Sequence, residues 1–349
     1  MRKFIMKKLA VLLSLILIFS MLLTACSNGN APEKGQLPNE EGNNEAGKIP
    51  EPVNPINVNI VGLKGPTSIG MIKLIDEKAL NSDKYIVEYT TVEAPDIITG
   101  KILNNEVQIA ALPTNLAAIL YNKTEGKVQF LAQNTLGVLY AIGKGDISSI
   151  EQLEGKKVAI SGKGAVPEYA MNYILSQKGL TDKISLDYLP DHATVSQALI
   201  AGDIDVAILP QPFVTQVLMK NPDFKILIDL NKEWEVASNN NSVLSMGCLV
   251  INKEFGENNA DFVAEFLKAY EQSVNFVNSN PADAAILVEK NEIIKSAALV
   301  EKAIPYCNIV YQDAQDAKND INAFLKVLFD SDNKSVGGKL PDENFYYKK

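Results

Sequence analysis

The sequence predicts an α/β protein of two lobes, each a mostly parallel sheet flanked by helices. Three observations predict it. From residue 55 on, short apolar runs alternate with helical stripes, the pattern of strands joined through helices. A block between residues 58 and 113 recurs, in the same order, between 158 and 210. The chain has 349 residues, 46% hydrophobic and 21% charged, an ordinary globular balance with length enough for two lobes.

The elements follow in order. Residues 1–8 are basic, and residues 9–23 form an apolar run broken only by Ser14 and Ser20. That run is short for a membrane span, and its layout is that of an export signal. It ends in Leu23-Thr24-Ala25-Cys26, which resembles a bacterial lipobox. The expectation is a signal peptide over 1–25 and lipidation at Cys26, which becomes the new first residue. A cysteine carrying at least two acyl chains gives stable membrane anchoring where one chain is marginal. Residues 26–54 hold four prolines, many Asn and Glu and almost no large apolar residue, so a disordered tether is expected there.

Ile56–Leu63 reads as the first strand, Thr67–Leu80 as a helix, residues 85–92 as a strand, a stretch near 95–104 as a helix, and 107–112 as a strand. The repeat then begins. Gly62 is matched by Gly162, Lys64-Gly65 by Lys163-Gly164, Met71 by Met171 and Glu88-Tyr89 by Asp187-Tyr188. EVQIAALP at 106–113 is matched by DIDVAILP at 203–210. Three blocks in register, ending in the same Ala-x-Leu-Pro step, point to a duplicated unit. Lobe one is expected over 55–136 plus 247–349, with lobe two over 137–246. VLSMGCLVIN (243–252) reads as the strand that crosses back. Residues 260–280 carry a helical stripe, Pro281 opens another helix, and 314–329 form a last amphipathic one.

Charge narrows the function. The chain carries −9 overall. Four of its 33 basic residues lie in the leader, so the part from Cys26 on has 29 against 42 acids, or −13. An acidic body argues against a nucleic-acid partner. Arg2 is the only arginine, so the exported body has no guanidinium to grip an anion in two places. One histidine and three cysteines leave little for a zinc site, and no metal or cofactor is expected. Gly162-Lys163-Gly164-Ala165-Val166-Pro167 starts like a dinucleotide fingerprint but lacks the third glycine.

LEGKKVAIS (153–161), ALIAGDIDVAILPQP (198–212), INKEF (251–255), the stretch 266–288 and GGKLPDENFYY (337–347) together resemble the substrate-binding proteins of ABC transporters. The likeness is strongest to the nitrate, sulfonate, taurine and thiamine-pyrimidine group. It implies a type II periplasmic-binding-protein clamshell that closes on a small-molecule solute and delivers it to an ABC permease and ATPase complex. It implies a monomer outside the cytoplasm, held to the cell membrane only by its lipid. The same fold also hosts pyrimidine synthases, so an enzyme is one alternative; a lipoprotein ligand sensor is another.

In open α/β sheets the ligand sits at the carboxyl ends of the strands. The loops expected there hold Gly65, Pro66, Thr67 and Ser68 after the first strand and Pro113, Thr114 and Asn115 after the third. Asn134 and Thr135 lie at the exit from lobe one. In lobe two the counterparts are Lys163, Gly164 and Ala165, with Gln211. Hydroxyls, amides and helix N-termini would then replace arginine in polar recognition. Tyr121, Tyr140, Tyr169, Phe213 and Trp234 could stack on a flat ligand; Trp234, in the polar stretch Asn231–Glu235, reads as the least core-like and is taken as a ligand contact. His192 reads as part of an exposed turn, and Cys248 and Cys307 as buried free thiols. A neutral or cationic heterocycle suits such a cleft better than a sulfonate.

Overall fold

The computed structural model describes residues 54–349. The leader, Cys26 and the tether up to residue 53 lie outside the described residues.

The chain opens with β1 (Ile56–Leu63), two short helices α1 (Pro66–Ile69) and α2 (Ile72–Asp76), and β2 (Tyr85–Val92). Then come α3 (Pro95–Leu103), β3 (Ile109–Leu112), α4 (Thr114–Lys123) and β4 (Val128–Thr135). The second half is β5 (Leu139–Gly143), β6 (Val158–Ile160), α5 (Val166–Gln177), β7 (Leu186–Tyr188), α6 (His192–Ala201) and β8 (Val206–Pro210). It continues with α7 (Phe213–Lys220), β9 (Lys225–Asp229) and α8 (Leu230–Ala237). The chain then returns through β10 (Gly247–Asn252), α9 (Lys253–Asn258), α10 (Ala260–Ser279), α11 (Pro281–Lys290), α12 (Ala297–Ala303), β11 (Ile309–Asp313) and α13 (Lys318–Ser331).

Two sheets result, in the orders β11-β4-β10-β3-β1-β2 and β7-β6-β8-β5-β9. In the first, β1 pairs in parallel with β2 and β3, and β10 runs antiparallel between β3 and β4. In the second, β6 pairs in parallel with β7 and β8, and β5 runs antiparallel between β8 and β9. Following directions across each sheet, four of six strands and four of five point the same way. The shared part of the plan is β2-β1-β3-β10 against β7-β6-β8-β5. It has the same order, with one reversed strand in the fourth place. The sequence repeat and the sheet topology therefore report one duplicated unit.

Burial explains the strand types. All residues of β3, β4, β5 and β8 are buried, as central strands covered on both faces must be. β2 lies at an edge and is mostly half-buried or exposed. The long α10 buries one stripe, Phe262, Phe266, Tyr270, Val274 and Val277, spaced by three or four. The single helix expected over Thr67–Leu80 is instead two short ones. The chain breaks at Gly70-Met71, where a Cβ on Gly70 would lie 2.9 Å from the Tyr270 hydroxyl and 3.1 Å from Ile309. Close packing of this segment on α10 and β11 outweighs its helical spacing.

The chain passes between the sheets at residues 136–138 and again at 238–246. The second passage is tied to the start of the first, where Met246 N–H donates to Thr135 O at 3.0 Å, and the first is tied to the segment before β11, where Leu136 N–H donates to Asn308 O at 3.1 Å. Gly247 is required here, since a Cβ would fall 2.6 Å from Asn134 Oδ1 and 2.7 Å from Thr67 Cγ2. Beside the passages, α13 of the first lobe reaches over to the second. Trp234 of α8 lies with its ring centroid 4.8 Å from Tyr173 and 5.7 Å from Phe324. Both cysteines described, Cys248 and Cys307, are buried and unbonded; desolvation pushes the Cys307 thiol up to about 12.

Candidate solute cleft between the two sheets

The loops that leave the carboxyl ends of the parallel strands of both sheets face one cavity of about 900 Å³. The first lobe contributes Leu63 at the end of β1 with Lys64 and Gly65 after it, Glu93 and Pro95 after β2, and Pro113 after β3. The second contributes Gly162, Ala165, Val166 and Pro167 after β6. It adds Asp191, His192 and Ala193 after β7, Pro210 at the end of β8, and Pro212, Phe213 and Gln216 after it. Met246, from the returning passage, and residues 292–295 with Leu299, between and within α11 and α12, complete the lining.

The local sequence sets this geometry. Gly65 sits at φ 132°, ψ −158°, a conformation open essentially only to glycine, and this lets the chain turn directly from β1 into α1. Helices α3, α4, α5, α6 and α7 all begin at the cavity, bringing the positive ends of their dipoles toward it. Prolines at Pro95, Pro113, Pro167 and Pro212 remove N–H donors from those same ends, and Pro210 closes β8, so much of the wall is apolar.

Charge is kept at the rim. Lys64, Glu93, Asp191, Glu292 and Lys295 are all exposed, and Lys64 pairs with Glu93 at 2.5 Å. Asp191 caps α6, its carboxylate accepting from the Thr194 N–H at 2.7 Å, and that bond holds its pKa below the usual carboxylate value. Inside the rim the titratable group is His192. Its Nδ1 is hydrogen-bonded to the Ser161 hydroxyl, and its ring centroid lies 5.2 Å from that of Phe213. Desolvation lowers the imidazole pKa to about 4, so it is neutral at pH 7. His192 is thus half-buried against the cleft wall rather than in the exposed turn its Pro-Asp-His context suggests: the loop after β7 turns inward, and its ring packs on Phe213.

Of the residues expected to meet a ligand, Gly65, Pro113 and Ala165 line the cavity. Pro66 follows Gly65 as the first residue of α1. Most of the others bond to neighbouring protein groups, while Asn134 Nδ2 and Gln211 Nε2 are buried without a partner among the described residues. Ser68 donates to Leu63 O at 2.5 Å and Thr67 lies over the same carbonyl at 3.4 Å. The Thr114 hydroxyl bonds that of Ser245 at 2.8 Å, and Asn115 Nδ2 donates to Ser335 O at 3.2 Å. Thr135 Oγ1 donates to Asn134 Oδ1 at 2.9 Å, and Gln211 Oε1 accepts from Thr215 N–H and Oγ1. Lys163 and Gly164 are exposed and absent from the cavity lining, and Gly164 N–H donates to Glu168 at 2.5 Å. Trp234 requires a correction: it is 0% exposed and belongs to the core. Of its polar neighbours Lys232 is exposed and Asn231, Glu233 and Glu235 are half-buried, while its indole N–H donates to Ser242 at 3.3 Å. Tyr121 and Tyr140 are likewise buried, bonded to Asp342 and to Tyr306 O.

Sequence reasoning missed Met246 and residues 292–295 as cleft residues. Asn291–Lys295 reads only as a helix connection, and nothing in its composition marks a cleft. Among the described residues, no group of His, Cys, Asp and Glu could hold a metal ion. Among the described residues, no helix is long and apolar enough to cross a membrane.

Two sheets flanked by helices and a cavity walled by the strand ends of both define a two-lobed, periplasmic-binding-protein-like fold. The comparisons with known proteins agree. A family model described as NMT1/THI5 like matches residues 127–284, from β4 to the start of α11. A solved structure described as an ABC transporter from Parabacteroides distasonis is 26% identical. It aligns over 86% of this chain and 100% of its own, with TM-score 0.74. The periplasmic aliphatic sulphonate binding protein of Escherichia coli is 16% identical over 84% of this chain and 93% of its own, with TM-score 0.69. The alkanesulfonate-binding protein of Xanthomonas axonopodis pv. citri, solved bound to MOPS, is 15% identical over 83% and 96%, with TM-score 0.59. No curated protein sequence matches this chain. The group that the sequence resembles is thus met by both the family model and the solved structures.

Proposed function

We propose that the protein is an extracytoplasmic solute-binding protein. It captures one small molecule between its lobes and delivers it to an ABC importer, and Cys26 carries the lipid that anchors it. The observation that carries this reading is the cavity walled by equivalent loops of both halves. A solute held there touches both lobes at once, so binding favours the arrangement in which they close on it. The size, about 900 Å³, suits a small organic molecule. The apolar wall, the neutral imidazole and the missing arginine favour an uncharged or weakly cationic heterocycle over a sulfonate.

Transport rather than catalysis fits the same residues. Ser161 and His192 are hydrogen-bonded, as a nucleophile and its base would be. Yet Ser161 is 1% exposed, and among the described residues no carboxylate hydrogen-bonds the ring to orient it. The test is a thermal-shift panel of pyrimidines and alkanesulfonates, followed by uptake measurements in a deletion strain. A ligand at 100 times its Kd adds about 2.7 kcal/mol of stability. A pyrimidine-class hit whose uptake is lost on deletion supports the reading. Turnover of the hit by the purified protein, or unchanged uptake, refutes it.

A further inference from the structure

Ser161 and His192 together fix a hydrogen-bond donor in the cleft. Ser161 Oγ is buried, and its one hydrogen-bond partner among the described residues is His192 Nδ1. A buried hydroxyl needs an acceptor for its hydrogen. If Nδ1 carried the proton, it would donate to Oγ and leave the serine hydrogen without a partner. The serine therefore donates, Nδ1 accepts, and the imidazole proton sits on Nε2. Nε2 has no hydrogen bond to protein among the described residues, while the ring it belongs to lines the cavity. The Phe213 ring, itself in the lining, packs on the imidazole at an angle of 51° and holds its plane. The charged side chains of the cavity are exposed, and of these the Asp191 carboxylate acts on the ring, where desolvation outweighs it and keeps the imidazole neutral.

We propose that His192 is a solute-recognising residue, whose Nε2–H donates to an uncharged acceptor on the bound molecule, a carbonyl oxygen or an aromatic ring nitrogen, while Ser161 sets the tautomer and Phe213 the ring plane. This rests on the solute-binding reading above and adds the chemistry that the solute must present. An uncharged acceptor fits because Ser161 already occupies Nδ1. A proton there would reverse that bond, so an anion that demanded imidazolium would leave the serine hydrogen without its acceptor.

The chain contains one histidine, so its imidazole nitrogens are read without assignment in histidine-15N-labelled protein. In the ligand-free protein at pH 7 the expected spectrum is one neutral tautomer protonated at Nε2. Ser161→Ala is expected to yield a mixture of tautomers. A proton on Nδ1 in the wild type, or an equal mixture of the two forms, overturns the proposal. This reading needs no ligand, so it stands or falls apart from the transport role. Cytosine and methanesulfonate then serve as probes. A shift of the Nε2 proton by cytosine is expected. His192→Phe is expected to weaken cytosine binding about tenfold, and His192→Gln, which keeps an N–H donor, less than threefold. An Nε2 signal unmoved by both probes at saturation, or one that methanesulfonate converts to imidazolium, overturns it.

Discussion

The neutral imidazole of His192 ties stability to pH in a way that one substitution isolates. The folded pKa is about 4 against an ordinary 6.5, because the ring is desolvated in the cleft wall. Between those values the unfolded chain binds a proton that the folded chain does not, so stability falls as pH drops from 6.5 to 4 and is constant, for this group, outside that window. Integrated from pH 7.5 to 4.5, the loss is about 2.5 kcal/mol. The assay is urea unfolding at both pH values, in wild type and in His192→Gln. All carboxylates are common to the two proteins, so the difference between the two pH dependences belongs to the imidazole together with its coupling to Asp191. The wild type should lose about 2.5 kcal/mol more than the variant over that range. Dependences that agree within about 0.5 kcal/mol would mean that the ring is solvated, and would remove the cleft-wall placement of His192.

Gly65→Ala meets no atom within 4 Å but must hold φ 132°, so urea unfolding should show a loss of about 1–3 kcal/mol from backbone strain alone. Trp234→Ala should cost about 3–5 kcal/mol, because it empties a site enclosed by both lobes. As the single tryptophan, Trp234 should give blue-shifted emission in the wild type that moves to the red only on unfolding. Thr114→Ala should cost about 1 kcal/mol through its lost bond to Ser245. It should change affinity for any solute less than twofold by calorimetry, since Thr114 does not line the cavity.

The strands and the duplication were legible because central strands read as unbroken apolar runs, and because the repeated Lys-Gly and Ala-x-Leu-Pro steps sit at equivalent strand ends. The same strand ends point to the cavity, and Gly65, Pro113 and Ala165 among the residues expected there line it. The polar residues beside them were harder to read. Thr67, Ser68, Thr114 and Asn115 are the types that bind ligands and also the types that satisfy nearby backbone and side-chain groups, and spacing does not separate the two uses. Trp234 misled because a polar sequence context reports the exposed side of an amphipathic helix as readily as the neighbours of the indole. His192 was hidden for the opposite reason: the Asp-His pair reads as a solvated turn, and only the tertiary approach of Ser161 and Phe213 turns it into the wall. Residues 292–295 come to the cleft from a helix connection nearly two hundred residues beyond Pro95, a pairing that local pattern does not contain.

The central claim is that one small molecule binds between the two lobes. Native mass spectrometry of the protein purified without denaturation tests it directly, with Ala165→Trp filling the cavity in parallel. The account predicts a single small-molecule adduct at one per chain in the wild type and its loss in Ala165→Trp. An adduct that persists undiminished in the filled variant would place the bound molecule elsewhere and contradict the account.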